Sequence, residues 1–306
     1  MRHIFVINPK AGKVNRVEEI SNHVKKYDGK LDYEIYSTQS RGDAAKFVKQ
    51  YLNTHDAKEI YRFYACGGDG TLHDVANGAC GHKNAEVACL ACGSGNDFIK
   101  YFDNLDEFRQ LDDLIKAEAR PIDAIKVNDL VCINILSFGF DAEVTFTMHD
   151  YKRKPLITGK MAYTLAALHC LLFKMKFKMK VTADDKVLFD GNGLLCAVAN
   201  GSWYGGGFHC APLAKVDDGL MDICLARCVS RAKSPMLMGI FKKGNHLEDK
   251  RLKDTIIYTK CKKVVIESDA PVAYQVDGET YRVPKLDVEI IPNGLNFVVP
   301  VHEDNK

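Results

Sequence analysis

Along the first 125 residues, short apolar runs alternate with segments whose apolar positions recur every third or fourth residue. The runs Ile4–Ile7, Tyr33–Tyr36, Ile60–Ala65 and Val87–Ala91 predict strands, and Val17–Tyr27, Asp43–Leu52, Thr71–Ala79 and Phe108–Ala117 predict helices. Such alternation predicts a parallel α/β sheet. Asp43, just after Gly42, is placed to cap the second helix. Beyond Arg120-Pro121 the rhythm changes to short strands with turn signals: Ala124–Val127, Leu130–Ser137, Met175–Thr182, Gly193–Asn200, Leu220–Ala226, Lys263–Ser268, Ala273–Val276 and Val288–Ile291. Helices are expected only near Gly159–Leu172 and Lys233–Lys243. This half predicts a β-sandwich. The expected division is an α/β domain over 1–125 and an all-β sandwich over 126–306, with a return of the final strand to the first domain left open.

The richest turn lies between the third strand and third helix, where residues 66–78 read Cys-Gly-Gly-Asp-Gly-Thr-Leu-His-Asp-Val-Ala-Asn-Gly. Gly67, Gly68 and Gly70 are expected to take positive φ and approach an anion, with the amides near Thr71 and Leu72 opening the helix toward it. Asp69 would repel a phosphate unless a cation such as Mg²⁺ or a hydrogen-bond network intervenes. A second glycine turn, Cys92-Gly93-Ser94-Gly95-Asn96-Asp97, follows the next strand, and Asn8-Pro9-Lys10-Ala11-Gly12 follows the first. Loops of this kind gather at the carboxyl ends of parallel strands, so a nucleotide site is expected there.

With Asp277-Gly278-Glu279 added, these motifs in this order resemble the bacterial diacylglycerol-kinase-type lipid kinases, more distantly related to sphingosine and ceramide kinases. The resemblance spans nearly the whole chain and implies a NAD-kinase/diacylglycerol-kinase-like α/β domain, ATP and Mg²⁺ as cofactors, and a membrane lipid alcohol as acceptor. By position, it implies nucleotide contacts at Asn8–Gly12, Thr38, Gly68–Asp74 (His73 and Asp74 standing where Asn-Glu is usual) and Ser94. Asn96 and Asp97 belong to the same loop. It implies a Mg²⁺ loop using the carbonyls of Lys215 and Leu220 and the side chain of Asp218, which alone would read as a hairpin turn. It makes Glu279 the general base for the attacking hydroxyl. Asp69, by its charge in a cation-linked network beside the phosphates, is expected to be essential to turnover. An NAD kinase shares Gly-Gly-Asp-Gly-Thr but uses an Asn-Glu-Asp triplet that is absent downstream here. A non-catalytic nucleotide- or membrane-binding protein on the same fold is the third reading.

A net charge of +2 gives no global attraction to nucleic acid. No signal peptide is recognisable, and the longest apolar segment, Met161–Phe173, is too short to span a bilayer, so a cytoplasmic protein touching the inner face of the membrane is expected. A homodimer is left open. The eleven scattered cysteines are expected as reduced, mostly buried thiols, with Cys89-x-x-Cys92 a core feature rather than a zinc site. Lys174, Lys176, Lys178 and Lys180 alternate with Phe173, Met175, Phe177, Met179 and Val181. That pattern suits either a lysine-guarded edge strand or, with Arg153 and Lys154, a basic face toward anionic lipid. Trp203–Phe208, with its three glycines, suits an acyl-chain pocket wall or a flexible hairpin.

Overall fold

The computed structural model describes residues 1–11, 16–93, 95–103, 105–154, 157 and 159–300, so the expectations for Gly12 and Ser94 lie outside the described residues. The chain forms two compact units: residues 1–124 with 216–218 and the chain from Ile291 onward, and residues 125–215 with 219–290.

The first unit contains β1 (Arg2–Ile7), α1 (Arg16–Val24), β2 (Tyr33–Ser37), α2 (Asp43–Thr54), β3 (Tyr61–Gly67), α3 (Asp69–Ala79), β4 (Ala85–Ala91) and α4 (Leu111–Lys116). Its strands run parallel in the order β2-β1-β3-β4, with Asn296 and Phe297 added in parallel beside Glu86 and Val87. Every residue of β3 is buried, the near-continuous apolar run that a parallel strand covered on both faces requires. Asp43 is not the cap of α2. Gly42, at φ 75°, makes the left-handed entry that glycine tolerates, and the Asp43 carboxylate turns back to accept from the Gln39 amide (2.8 Å) and the Tyr36 hydroxyl (3.0 Å). The helix expected over Phe108–Ala117 breaks at Gln110 into a 3₁₀ turn and α4. Phe108 joins Phe98, Phe102 and Phe297 in an aromatic cluster, a tertiary demand that overrides helical continuity.

The second unit begins within β5 (Glu118–Val127) and continues through β6 (Leu130–Cys132), β7 (Ile135–Gly139), α5 (Phe140–Lys152), α6 (Gly159–Phe173), β8 (Phe177–Ala183), β9 (Lys186–Ala199), β10 (Trp203–Tyr204), β11 (Phe208–His209), β12 (Met221–Arg227), α7 (Ser234–Lys242), β13 (Ile256–Cys261), β14 (Lys263–Val276) and β15 (Glu279–Val299). The antiparallel order is β13-β12-β9-β7-β14-β15. Strands β9 and β14 are long enough to pair with β7 along one stretch and with β8 along another, so four strands close on themselves around one apolar core. Lys263–Ser268 and Ala273–Val276, expected as separate strands, are one strand with an irregularity between Glu267 and Val272.

The lysine ladder keeps its alternation only from Met175 on, with Met175, Phe177, Met179 and Val181 buried; Phe173 instead ends α6, 73% exposed, and Lys174 bonds back to the Cys170 carbonyl of that helix. Its strand is not an edge, however, because β8 pairs with β9 on one side and β14 on the other. Lys178 pairs with Asp269 and Lys174 with Glu143, each at 2.9 Å. All eleven cysteines are free thiols and eight of them are buried, as expected.

Candidate active site

At the carboxyl ends of β3 and β4, the two glycine loops touch backbone to backbone. A Cβ on Gly93 would lie 2.5 Å from the Gly68 Cα, and one on Gly67 would lie 2.2 Å from the Thr71 hydroxyl oxygen. The expectation of positive φ at Gly67, Gly68 and Gly70 is therefore corrected. None of the three is left-handed, and Gly67, with Gly93 of the second loop, is needed for close approach instead. Helix α3 starts at Asp69, with Gly68 as its cap. The Thr71 and Leu72 amides bond the Gly68 carbonyl at 2.9 and 3.1 Å, which corrects their expected aim at an anion. In a helix opening here, the amides without an intrahelical acceptor are those of Asp69 and Gly70.

Asp69 is locked to the second loop. Its two carboxylate oxygens accept from the amides of Asn96 (2.8 Å) and Asp97 (2.6 Å), and a Cβ on Gly95 would sit 2.5 Å from one of them. Burial, then the neighbouring Asp97 carboxylate, raises the Asp69 pKa, while the two amides oppose the shift. Asp97 is paired in turn with Lys100. Asn96 adopts φ 49° and donates its side-chain amide to the Gly93 carbonyl at 2.9 Å.

Asn8, Lys10 and Ala11 form a turn of their own, in which the Asn8 side chain accepts from the Lys10 amide (3.0 Å) and reaches the Thr71 hydroxyl (3.4 Å). Pro9 lies inside this turn. The Thr38 amide bonds the Ile7 carbonyl at 2.9 Å, fixing the end of β2 beside the same strand. His73 is buried on α3, and the Asp74 carboxylate accepts from the Gly42 amide at 2.9 Å, clamping the start of α2. Burial foremost raises the Asp74 pKa. Sequence reasoning missed Arg16, His23 and Arg109, which line a polar cleft of about 450 Å³ beside Cys92 and Gly93. Arginines at that spacing carry no local motif.

In the second unit, Asp277 and Gly278, at φ 49° and 93°, form the two-residue turn between β14 and β15. The Asp277 carboxylate gathers the amides of Ile133 (3.0 Å), Asn134 (3.0 Å) and Ile135 (3.3 Å) and the Cys132 thiol (3.1 Å). Glu279 opens β15, half-buried, opposite Val276. In the loop expected to hold Mg²⁺, Asp218 is exposed and next to Gly219 (φ 70°). Lys215 and Leu220 group with the second unit and Asp218 with the first. An all-oxygen donor set with one exposed carboxylate fits a hard ion that keeps much of its water. Among the described residues, no cluster of three or more His, Cys, Asp or Glu side chains is arranged to hold a metal.

The same unit contains an apolar cavity of about 100 Å³, walled by residues of α5, α6 and α7 and by Tyr204, Gly205 and Phe208 of the β10–β11 hairpin. Its polar features include Asp141 and Gln275. Asp141 accepts hydrogen bonds from Ser137 and Tyr204, and burial raises its pKa.

Two family models match: the diacylglycerol kinase catalytic domain over residues 2–127, and the YegS C-terminal NAD kinase beta sandwich-like domain over 134–299. A protein of Staphylococcus aureus (strain Mu3 / ATCC 700698) named "Putative lipid kinase" is 24% identical over 266 residues, 86% of this chain and 85% of the relative. Two Bacillus anthracis str. Sterne crystal structures share the fold. One, titled a "putative diacylglycerol kinase", has TM-score 0.73 and 23% identity over 97% of each chain. Another, titled as a diacylglycerol kinase, has TM-score 0.68 and 21% identity, covering 97% of this chain and 96% of that one. With its α/β half matching one model and its sandwich half the other, the chain belongs to the lipid kinase family built from a diacylglycerol kinase catalytic domain and a YegS-type C-terminal domain.

Proposed function

We propose that this protein transfers the γ-phosphoryl group of ATP to a hydroxyl of a membrane lipid, with diacylglycerol the first acceptor to test. The observation that carries the reading is the pair of glycine loops locked together by Asp69 at the strand ends, because such a rigid, backbone-lined edge suits phosphate oxygens. The apolar cavity of the second unit supports an acceptor with hydrocarbon chains. In this reading the turn Asn8–Ala11, Thr38 and the loops 67–74 and 92–97 hold the nucleotide. Glu279 accepts the hydroxyl proton as the bond to phosphorus forms. Lys215, Asp218 and Leu220 would hold Mg²⁺, which when bound neutralises charge on the phosphates.

The test is purified protein with Mg-ATP and diacylglycerol in mixed micelles, with NAD as the competing acceptor. Phosphatidate should form and NAD should stay unmodified; stoichiometric phosphorylation of NAD would overturn the reading. Glu279→Gln, which keeps size but cannot take a proton, should lower kcat by roughly 10²–10⁴-fold with little change in nucleotide affinity.

A further inference from the structure

Buried cysteines usually serve as small apolar side chains. Two in the second unit have more than packing around them. Cys210 directly follows β11 and Cys224 lies in the middle of β12; both are fully buried, and their thiols hydrogen-bond to each other. His246, in the 3₁₀ turn Asn245–Leu247, brings Nε2 to 3.6 Å from the Cys224 sulfur. Its ring is buried as well, with Phe241 packed against it at 4.6 Å, and Nδ1 has no hydrogen-bond partner among the described residues. No other thiol among the described residues has both an imidazole and a second thiol within hydrogen-bond reach.

The environment divides two roles between the sulfurs. The hydrogen bond from Cys210 draws the Cys224 thiol below its ordinary range, burial opposing and His246 assisting, while burial foremost pushes Cys210 up. Cys224 is thus the readier nucleophile, and Cys210 keeps its proton. Sulfurs already in hydrogen-bond contact have a short way to travel to the ~2.05 Å of a disulfide. The pair also has a way in. Cys224 and Ala226 share a face of β12, about 7 Å apart along the strand, and Ala226 walls the apolar cavity together with Tyr204 and Phe241. Because Phe241 is also the ring packed on His246, the thiols lie directly behind that wall. Hydrogen peroxide is little larger than water, and local opening is enough to admit it.

We propose that Cys210 and Cys224 are a redox-active dithiol that a hydroperoxide converts to a disulfide, with Cys224 attacking and Cys210 resolving. The Cys224 sulfur attacks one peroxide oxygen and the O–O bond breaks; the departing hydroxide takes up the proton that Cys224 gave to His246 and leaves as water. The Cys210 sulfur then attacks the resulting sulfenic acid, the S–O bond breaks, and a second water leaves with the Cys210 proton. The two thiols lose two electrons and two protons, and the peroxide is reduced to two waters. The new bond ties the end of the β10–β11 hairpin, whose Tyr204, Gly205 and Phe208 wall the cavity, to the sheet beneath it. Oxidation would then hold that wall in place. The inference goes beyond the lipid-kinase reading and does not depend on it.

The experiment treats the reduced full chain with hydrogen peroxide, counts thiols after denaturation and maps linkages by mass spectrometry of unreduced peptides. Two of the eleven thiols should be lost first, in a bond between Cys210 and Cys224 that dithiothreitol reverses. Emission from Trp203, the sole tryptophan, should change on the same time course, because its ring stacks at 4.0 Å on His209, next to Cys210. Cys210→Ser should stop at a sulfenic acid on Cys224 that dimedone traps, and Cys224→Ser should slow oxidation of Cys210 by at least ~10-fold. A first linkage between any other pair would overturn the proposal. So would earlier loss of the half-buried thiols Cys80, Cys92 and Cys228, or a Cys224 that goes on to sulfinic acid while Cys210 stays reduced. The wild-type map decides the matter even where a variant fails to fold, and no readout depends on phosphoryl transfer.

Discussion

Asp69 shows how one carboxylate among glycine loops can serve the backbone of its neighbour. Each oxygen is held by a backbone amide of the neighbouring loop, so the charge fixes loop geometry. Asp69→Asn sets a donor against one of those amides. Steady-state kinetics should show turnover falling by roughly 10²-fold, since small displacements at a transfer site are costly. Urea denaturation should show a loss of about 1–3 kcal/mol. Full activity in a folded variant would show the lock to be dispensable. A second residue-scale prediction concerns His3, which is buried with Nδ1 2.7 Å from the Tyr64 hydroxyl. Burial foremost, then the Arg62 charge, lowers its pKa to about 4. Between that value and the ordinary 6.5 the unfolded chain binds more protons, so stability falls as pH drops through this window. At about pH 5 the loss is on the order of 2 kcal/mol. His3→Gln should flatten that part of the stability–pH curve, and equal slopes for both proteins would refute the assignment. At this scale the sequence pointed to Asp69 and to the Asp277-Gly278 turn through local composition. It could not reveal that Asp277 holds amides more than a hundred residues earlier in the chain, because no local pattern encodes that contact.

Among the elements, the glycine loops divide what was legible from what was not. Their position after strands and before helices is a sequence property, but glycine serves both left-handed turns and close packing, and only the fold reveals that Gly93 and Gly67 need the second. Gly93→Ala forces a methyl against backbone and should destabilise the first unit by about 1–3 kcal/mol and weaken nucleotide binding. Calorimetric titration with ATP and a denaturation curve would measure both. Gly206→Ala, in open space although at φ 76°, should leave nucleotide binding unchanged. Helix α5 went unread because its Val, Thr, Phe and Tyr residues favour strands. The lysine alternation on β8 was read correctly, yet the pattern of one strand says nothing about how many neighbours it pairs with.

For the whole molecule, the change from α/β rhythm to short strands gave the fold class, whereas the crossings of β5 and β15 between units depend on pairings far apart in sequence. Hydrogen exchange followed by mass spectrometry tests the site at this scale. Saturating ATP should slow exchange in the peptides covering 66–74 and 92–98, and uniform protection across the chain would refute a site localised at the loops.

The route of β15 also has a consequence for synthesis. The first unit lacks its last strand until the ribosome has made roughly 170 further residues after Ala124, a wait of roughly ten to thirty seconds at ~5–20 residues per second. Throughout that interval Phe98, Phe102 and Phe108 have no Phe297 to pack against, and β4 presents an open pairing edge. A message cut short before Ile291 thus yields an α/β half that cannot complete its sheet.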